Sequence, residues 1–193
     1  MTMKHFAYSS CTLALVVVLA CVAFTPVTTA LAPFKVTTVY LVRHAEKQAT
    51  PPADPLLTAA GTARAERLAM ILAQAGLKAI YTSQYLRTQH TAKPVAQSLG
   101  ITPTVINVET SPAPPGQTMG SQMSAPSLQA FVDKITQHPG ETALIVGHTN
   151  TLPAIIGKLG GDVVPTIPET DFDNLFVVTI YANGKAKVAQ LKY

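Results

Sequence analysis

The chain has 193 residues, of which 48% are hydrophobic and 12% charged, with a formal net charge of +4. That is apolar material for one full core, and its positive excess is dispersed, without the basic runs or aromatic interleaving of nucleic-acid binders; nucleic acid is not an expected partner. The two cysteines, Cys11 and Cys21, both lie near the N-terminus, so the remainder carries no disulfide framework and no cysteine metal site.

Lys4 and the free amine precede an uncharged apolar run over residues 11–24, followed by Ala30-Leu31-Ala32. This pattern predicts a secretory signal peptide over residues 1–32, with a single domain over residues 33–193. The apolar run, about 14 residues, is shorter than the ~20 that a spanning helix needs. A competing reading takes Val18-Leu19-Ala20-Cys21 as a lipoprotein processing site, although Leu19 stands where a small residue is usual. The membrane is a partner only if Cys21 is lipidated. Either reading places the domain outside the cytoplasm, periplasmic or secreted.

Residues 36–42 are β-branched, aromatic or Leu and predict a buried central strand ending at Arg43-His44. The Pro-rich stretch 50–55 breaks structure, and Thr58 is placed to cap a helix reaching about Ala75, stopped by Gly76. A second strand is expected over 79–82, then a helix over 85–99 closed by Gly100, kinked or shortened by Pro94. Residues 104–108 read as a third strand. The Pro-, Gly-, Ser- and Met-rich segment 110–126 reads as a long loop, either a flap over a site or a solvated excursion.

A helix over 127–137 precedes a strand over 142–146, after which Thr149 or Asn150 can cap a helix to Leu159, with Pro153 in its first turns. Segments 176–181 and 185–191 flank Asn183-Gly184, a strong hairpin signal. Strands alternating with helices and ending in a hairpin predict an α/β fold: a three-layer α/β/α sandwich, mostly parallel, with an antiparallel edge.

Three β-rich runs end in Arg or His: Tyr40-Leu-Val-Arg-His-Ala-Glu-Lys47, Tyr81-Thr-Ser-Gln-Tyr-Leu-Arg-Thr88 and Leu144-Ile-Val-Gly-His-Thr-Asn150. Strand mouths of this kind are where open α/β sheets bind ligands. A histidine beside an arginine there is equipped to attack a phosphoryl group while its neighbour neutralises the oxygens.

The segments LVRHAEK, LTAAGTARAERLA, YTSQYLRTQHTA and IVGHTNT, in this order, resemble the successive motifs of the histidine phosphatase superfamily, the phosphoglycerate-mutase-like fold. The likeness is closest to its short, cap-less members, the small phosphohistidine and periplasmic sugar-phosphate phosphatases. The resemblance implies that His44 takes up the phosphoryl group and that Arg43, Arg87 and His148 hold its oxygens, with Thr149 and Asn150 adding to the anion site. It implies hydrolysis of a phosphomonoester or phosphohistidine without metal or other cofactor. Expected substrates are a phosphorylated small molecule, an envelope sugar or a phosphoprotein. A non-catalytic phosphate or glycan binder, or a mutase-type phosphotransferase, is the alternative.

The resemblance supplies no matching general acid, since the residue after His148 is Thr149 rather than the Asp of the phytase-like branch. Glu109 is the first positional candidate, with Glu46, Glu169, Asp171 and Asp173 behind it. Glu46 has a bland alternative in pairing with Lys47, and the acidic trio in solubilising a turn. Without a strong acid, good leaving groups are favoured over alkyl esters. His90 and His138 read as surface or filler residues, and no metal-ligand spacing surrounds them.

Overall fold

Residues 35–111, 122–163 and 165–193 are described by the structure, a computed structural model. The signal-peptide and lipid-anchor readings, and the middle of the 110–126 loop, lie outside the described residues. In chain order the elements are β1 (Thr37–Arg43), α1 (Ala59–Leu72), β2 (Ala79–Thr82), α2 (Leu86–Leu99), β3 (Thr104–Val105), β4 (Thr110–Ser111), β5 (Gln122–Met123), α3 (Ala125–Thr136), β6 (Thr142–Gly147), α4 (Leu152–Lys158), β7 (Asn174–Ile180) and β8 (Ala186–Lys192). Six strands form one sheet in the order β3-β2-β6-β1-β7-β8. The first four are mutually parallel, while β7 is antiparallel to β1, and β8 to β7.

The continuous apolar character of β1 and β6 follows from burial on both faces. Val39, Leu41, Ala143 and Ile145 pack with Phe131, Ile135, Leu152 and Ile155 of α3 and α4. Val42, Leu144 and Val146 pack on the other face with Leu68 and Leu72 of α1 and Ala92 and Val95 of α2. The expected three layers are therefore present, with the antiparallel hairpin β7–β8 turning at Gly184, whose φ is 77°.

Thr58 caps α1 as expected, accepting from Gly61 N at 3.1 Å, and Gly100 closes α2 with φ 66°. Several boundaries differ. Pro94 does not shorten α2, because buried Thr91, Ala92, Val95 and Ala96 hold the helix on the sheet around it. Strand β3 ends at Val105 rather than Val108. Beyond it the Gln84 side chain replaces a strand neighbour: its Oε1 accepts from Val108 N at 2.8 Å and its Nε2 donates to Val108 O at 3.0 Å. Ser124 starts α3 two residues before the expected boundary, accepting from Ser127 N at 3.3 Å. The ends of the 110–126 loop are pinned by antiparallel pairing of Thr110 with Met123.

Gly61 has a steric duty. A Cβ there would meet the backbone carbonyl of Glu46, two residues past His44, far inside van der Waals contact. Gly61→Ala is expected to cost about 1–3 kcal/mol of stability through overpacking. A urea midpoint equal to that of the parent protein would contradict this packing.

Candidate active site

Strand register assembles the site. Arg43 of β1 lies opposite Gly147 of β6, and Thr82 of β2 lies opposite Val146, so three parallel strands end level at their carboxyl edges. The residues that follow, His44, Ser83 and His148, are thereby brought together. His44 N extends the ladder by donating to Gly147 O at 2.9 Å, and the His44 and His148 ring centroids are 5.3 Å apart. Helix α2 begins three residues after Ser83 and places Arg87 in its first turn. Asp54 caps it from the Pro-rich loop, its carboxylate accepting from Leu86 N at 2.9 and 3.2 Å and lying 3.7 Å from Arg87.

Arg43, His44, Arg87, His148, Thr149 and Asn150 all line one cavity of about 370 Å³, with Lys47, Tyr85 and Glu169 on the same wall set. His44 is buried, and its Nδ1 lies 2.8 Å from Ala45 O. A carbonyl only accepts, so Nδ1 carries the hydrogen and Nε2 keeps its lone pair. Burial holds the ring far below its ordinary range, to about 4, and the neighbouring arginines add to the effect. At neutral pH His44 is thus an uncharged imidazole with a free Nε2.

Arg43 is encircled by the 165–173 loop. Its Nη1 donates to Glu169 O at 2.6 Å and to Pro168 O and Asp171 O at 3.3 Å, and its Nη2 donates to Glu169 Oε2 at 2.5 Å. The guanidinium lies 4.2 Å from the Phe172 ring centroid. Arg87 stacks at the same distance, 4.2 Å, on Tyr85. In both arginines the Nε–H is buried and has no partner among the described residues. Buried unsatisfied donors are costly. Both side chains nonetheless line the cavity, and their two positive charges there favour an anion.

The other candidates fall on both sides of expectation. Glu109 does not line the cavity: Val108 and Thr110 on either side do, and the Glu109 side chain is exposed. Glu169 is the carboxylate that reaches it, held by Arg43 and by the Thr149 hydroxyl, which donates to its Oε1 at 2.6 Å. The Thr149 hydrogen bond first, then the Arg43 charge, keep Glu169 below the usual carboxylate range, against the opposing effect of burial. Neither Thr149 nor Asn150 caps α4; the N-cap is Thr151, whose hydroxyl accepts from His148 N at 2.9 Å. Glu46 pairs with Arg64 at 2.7 Å rather than with Lys47, while Asp171 and Asp173 pair with Lys192. His90 faces a separate cavity against α2, and His138 lies 3.7 Å from Glu141. No cluster of three His, Cys, Asp or Glu side chains able to hold a metal occurs among the described residues.

Sequence reasoning did not single out Ser83, Asp54 or Phe172. Ser83 had a signal in its place at a strand mouth. Asp54 and Phe172 had none, because their roles come from loops folded back across the sheet.

The two histidines also set an acid limit on stability. Burial lowers His44 to about 4 and His148 to about 3, against an ordinary value of 6.5. As pH falls below 6.5 the unfolded chain takes up protons that the folded site refuses, so stability falls with pH down toward those values. The urea midpoint at pH 4.5 should lie below that at pH 7, and His44→Gln should flatten the dependence. A wild-type midpoint unchanged between the two would contradict the neutral, buried state of these rings.

Residues 39–111 match the family profile of the histidine phosphatase superfamily (branch 1). No curated protein matches the chain in sequence. Among solved structures, a putative α-ribazole-5′-P phosphatase of Escherichia coli is similar with TM-score 0.62 and 19% identity, covering 81% of this chain and 96% of that one. The protein histidine phosphatase SixA, complexed with tungstate, gives TM-score 0.59 and 18% identity over 80% and 96% of the two chains. A phosphoglycerate mutase of Bacillus anthracis gives 0.60 and 18% over 82% and 93%.

Proposed function

From the premise that this chain belongs to the histidine phosphatase superfamily, we propose that it hydrolyses phosphomonoesters or phosphohistidine without a metal, through a phosphohistidine on His44. The observation that carries this reading is His44 itself. Its Nδ1–H is committed to Ala45 O, and its bare Nε2 belongs to a ring lining the same cavity as the charged side chains of Arg43 and Arg87.

In the first step the Nε2 lone pair forms a bond to phosphorus as the bond from phosphorus to the leaving oxygen breaks, and that oxygen takes the electron pair. The positive charge left on the ring is shared with the Ala45 carbonyl through Nδ1–H. Arg43 and Arg87 neutralise the charge spread over the equatorial oxygens, which is where phosphoryl transfer needs help. In the second step water attacks phosphorus, the bond to Nε2 breaks and its electron pair returns to the ring. Glu169, ionised and lining the cavity, accepts the water's proton.

The cavity is open rather than enclosed by a second domain among the described residues, which suits a small phosphate, an envelope sugar phosphate or a phosphorylated side chain. The sequence of residues 1–32 supports action outside the cytoplasm. Release of phosphate from an aryl phosphate by the protein, assayed in excess chelator, is the direct test. Turnover should be undiminished by the chelator. Turnover restored only by added divalent metal would overturn the metal-free reading.

A further inference from the structure

Behind His148 lies a chain of hydroxyls whose hydrogens can be assigned by counting. Thr88 Oγ1 is 2.8 Å from Tyr85 O and 3.1 Å from Ser83 O, both of which only accept, so the one Thr88 hydroxyl hydrogen is committed to carbonyls. Ser83 Oγ lies 2.9 Å from Thr88 Oγ1, and that contact must therefore use the Ser83 hydrogen. The remaining contact, 2.9 Å between Ser83 Oγ and His148 Nε2, then requires a hydrogen on Nε2. The opposite assignment leaves Thr88 facing two carbonyls with lone pairs. All three residues are buried, where such a loss is costly.

A neutral imidazole with its hydrogen on Nε2 keeps a lone pair on Nδ1. That lone pair repels a phosphoryl oxygen unless a proton comes between them. Resting on the phosphatase reading of this cavity, we propose that Ser83, oriented by Thr88, fixes the His148 proton on Nε2, so that a phosphoryl group is bound together with one additional proton at His148 Nδ1. Ser83 and Thr88 are positioning residues in this scheme. His148 becomes a donor to a non-bridging oxygen only in the loaded site.

The groups facing His148 are consistent with this. His44 and Arg43 at the end of β1, Tyr85 and Arg87 at the start of α2, and Lys47 and Glu169 across the cavity surround the ring. The cations and burial keep the empty site's His148 unprotonated at neutral pH. An arriving dianion reverses that field, and Glu169, already held by Arg43 and Thr149, remains ionised.

Two measurements test the proposal. Long-range proton–nitrogen NMR on the free, nitrogen-15-labelled protein should show His148 protonated on Nε2 alone. The Ser83→Ala variant should lose that fixed state, and Thr88→Ser, which keeps the hydroxyl, should retain it. Calorimetry with tungstate in buffers of different ionisation heat should show the wild-type protein taking up about one proton more per bound tungstate than Ser83→Ala, with affinity falling about tenfold more steeply per pH unit. A free-protein His148 protonated on Nδ1, or equal uptake in both proteins, overturns the proposal even if the protein hydrolyses phosphate. Absence of tungstate binding instead overturns the phosphatase reading, and the proton uptake with it.

Discussion

His44→Ala should lower phosphate release from an aryl phosphate by about 10⁴-fold or more, because among the described residues it removes the one imidazole lining the cavity whose Nδ1 carries the hydrogen and whose Nε2 keeps its lone pair. The same variant should still bind tungstate, since the charged Arg43 and Arg87 side chains still line the cavity. That combination separates loss of a nucleophile from loss of a fold. A variant that keeps even a tenth of the activity would mean that water, not His44, attacks phosphorus.

The second large effect concerns the leaving group. General acid catalysis is worth about 10²–10⁴-fold, and the free site has no carboxylic acid to supply it. Glu169 is held ionised by Thr149 and Arg43, and Glu109 lies outside the cavity. Aryl phosphate, acyl phosphate and phosphohistidine, which depart without a strong proton donor, should therefore exceed a simple alkyl phosphate in kcat/KM by about 10²–10⁴-fold. Equal values for aryl and alkyl substrates would show that a proton donor reaches the leaving oxygen, and would contradict this reading of the site.

Much of this arrangement was legible in the sequence because it depends on periodicity and strand ends. The apolar runs of β1 and β6 had to be central, and their shared parallel direction put Arg43-His44 and His148 at one edge. Thr58, Gly100 and Asn183-Gly184 announced their elements through local backbone chemistry that does not depend on the rest of the fold. What escaped was long-range. The early end of β3 results from a Gln84 side chain substituting for a strand neighbour, a contact spanning 24 residues. That Glu169 rather than Glu109 lines the cavity turns on a loop more than 120 residues from Arg43 in sequence. The hydrogen count at His148 similarly joins strand ends that periodicity places only approximately.

The most direct measurement of the central claim is to mix the protein with an aryl phosphate, quench in alkali on the millisecond scale, where phosphohistidine survives, and locate the added phosphate by peptide mass. The account predicts a transient phosphate on the peptide containing residues 43–47, on His44 and absent from His44→Ala. Continued turnover with no phosphate on His44 at any time, or with phosphate on another residue, would contradict it.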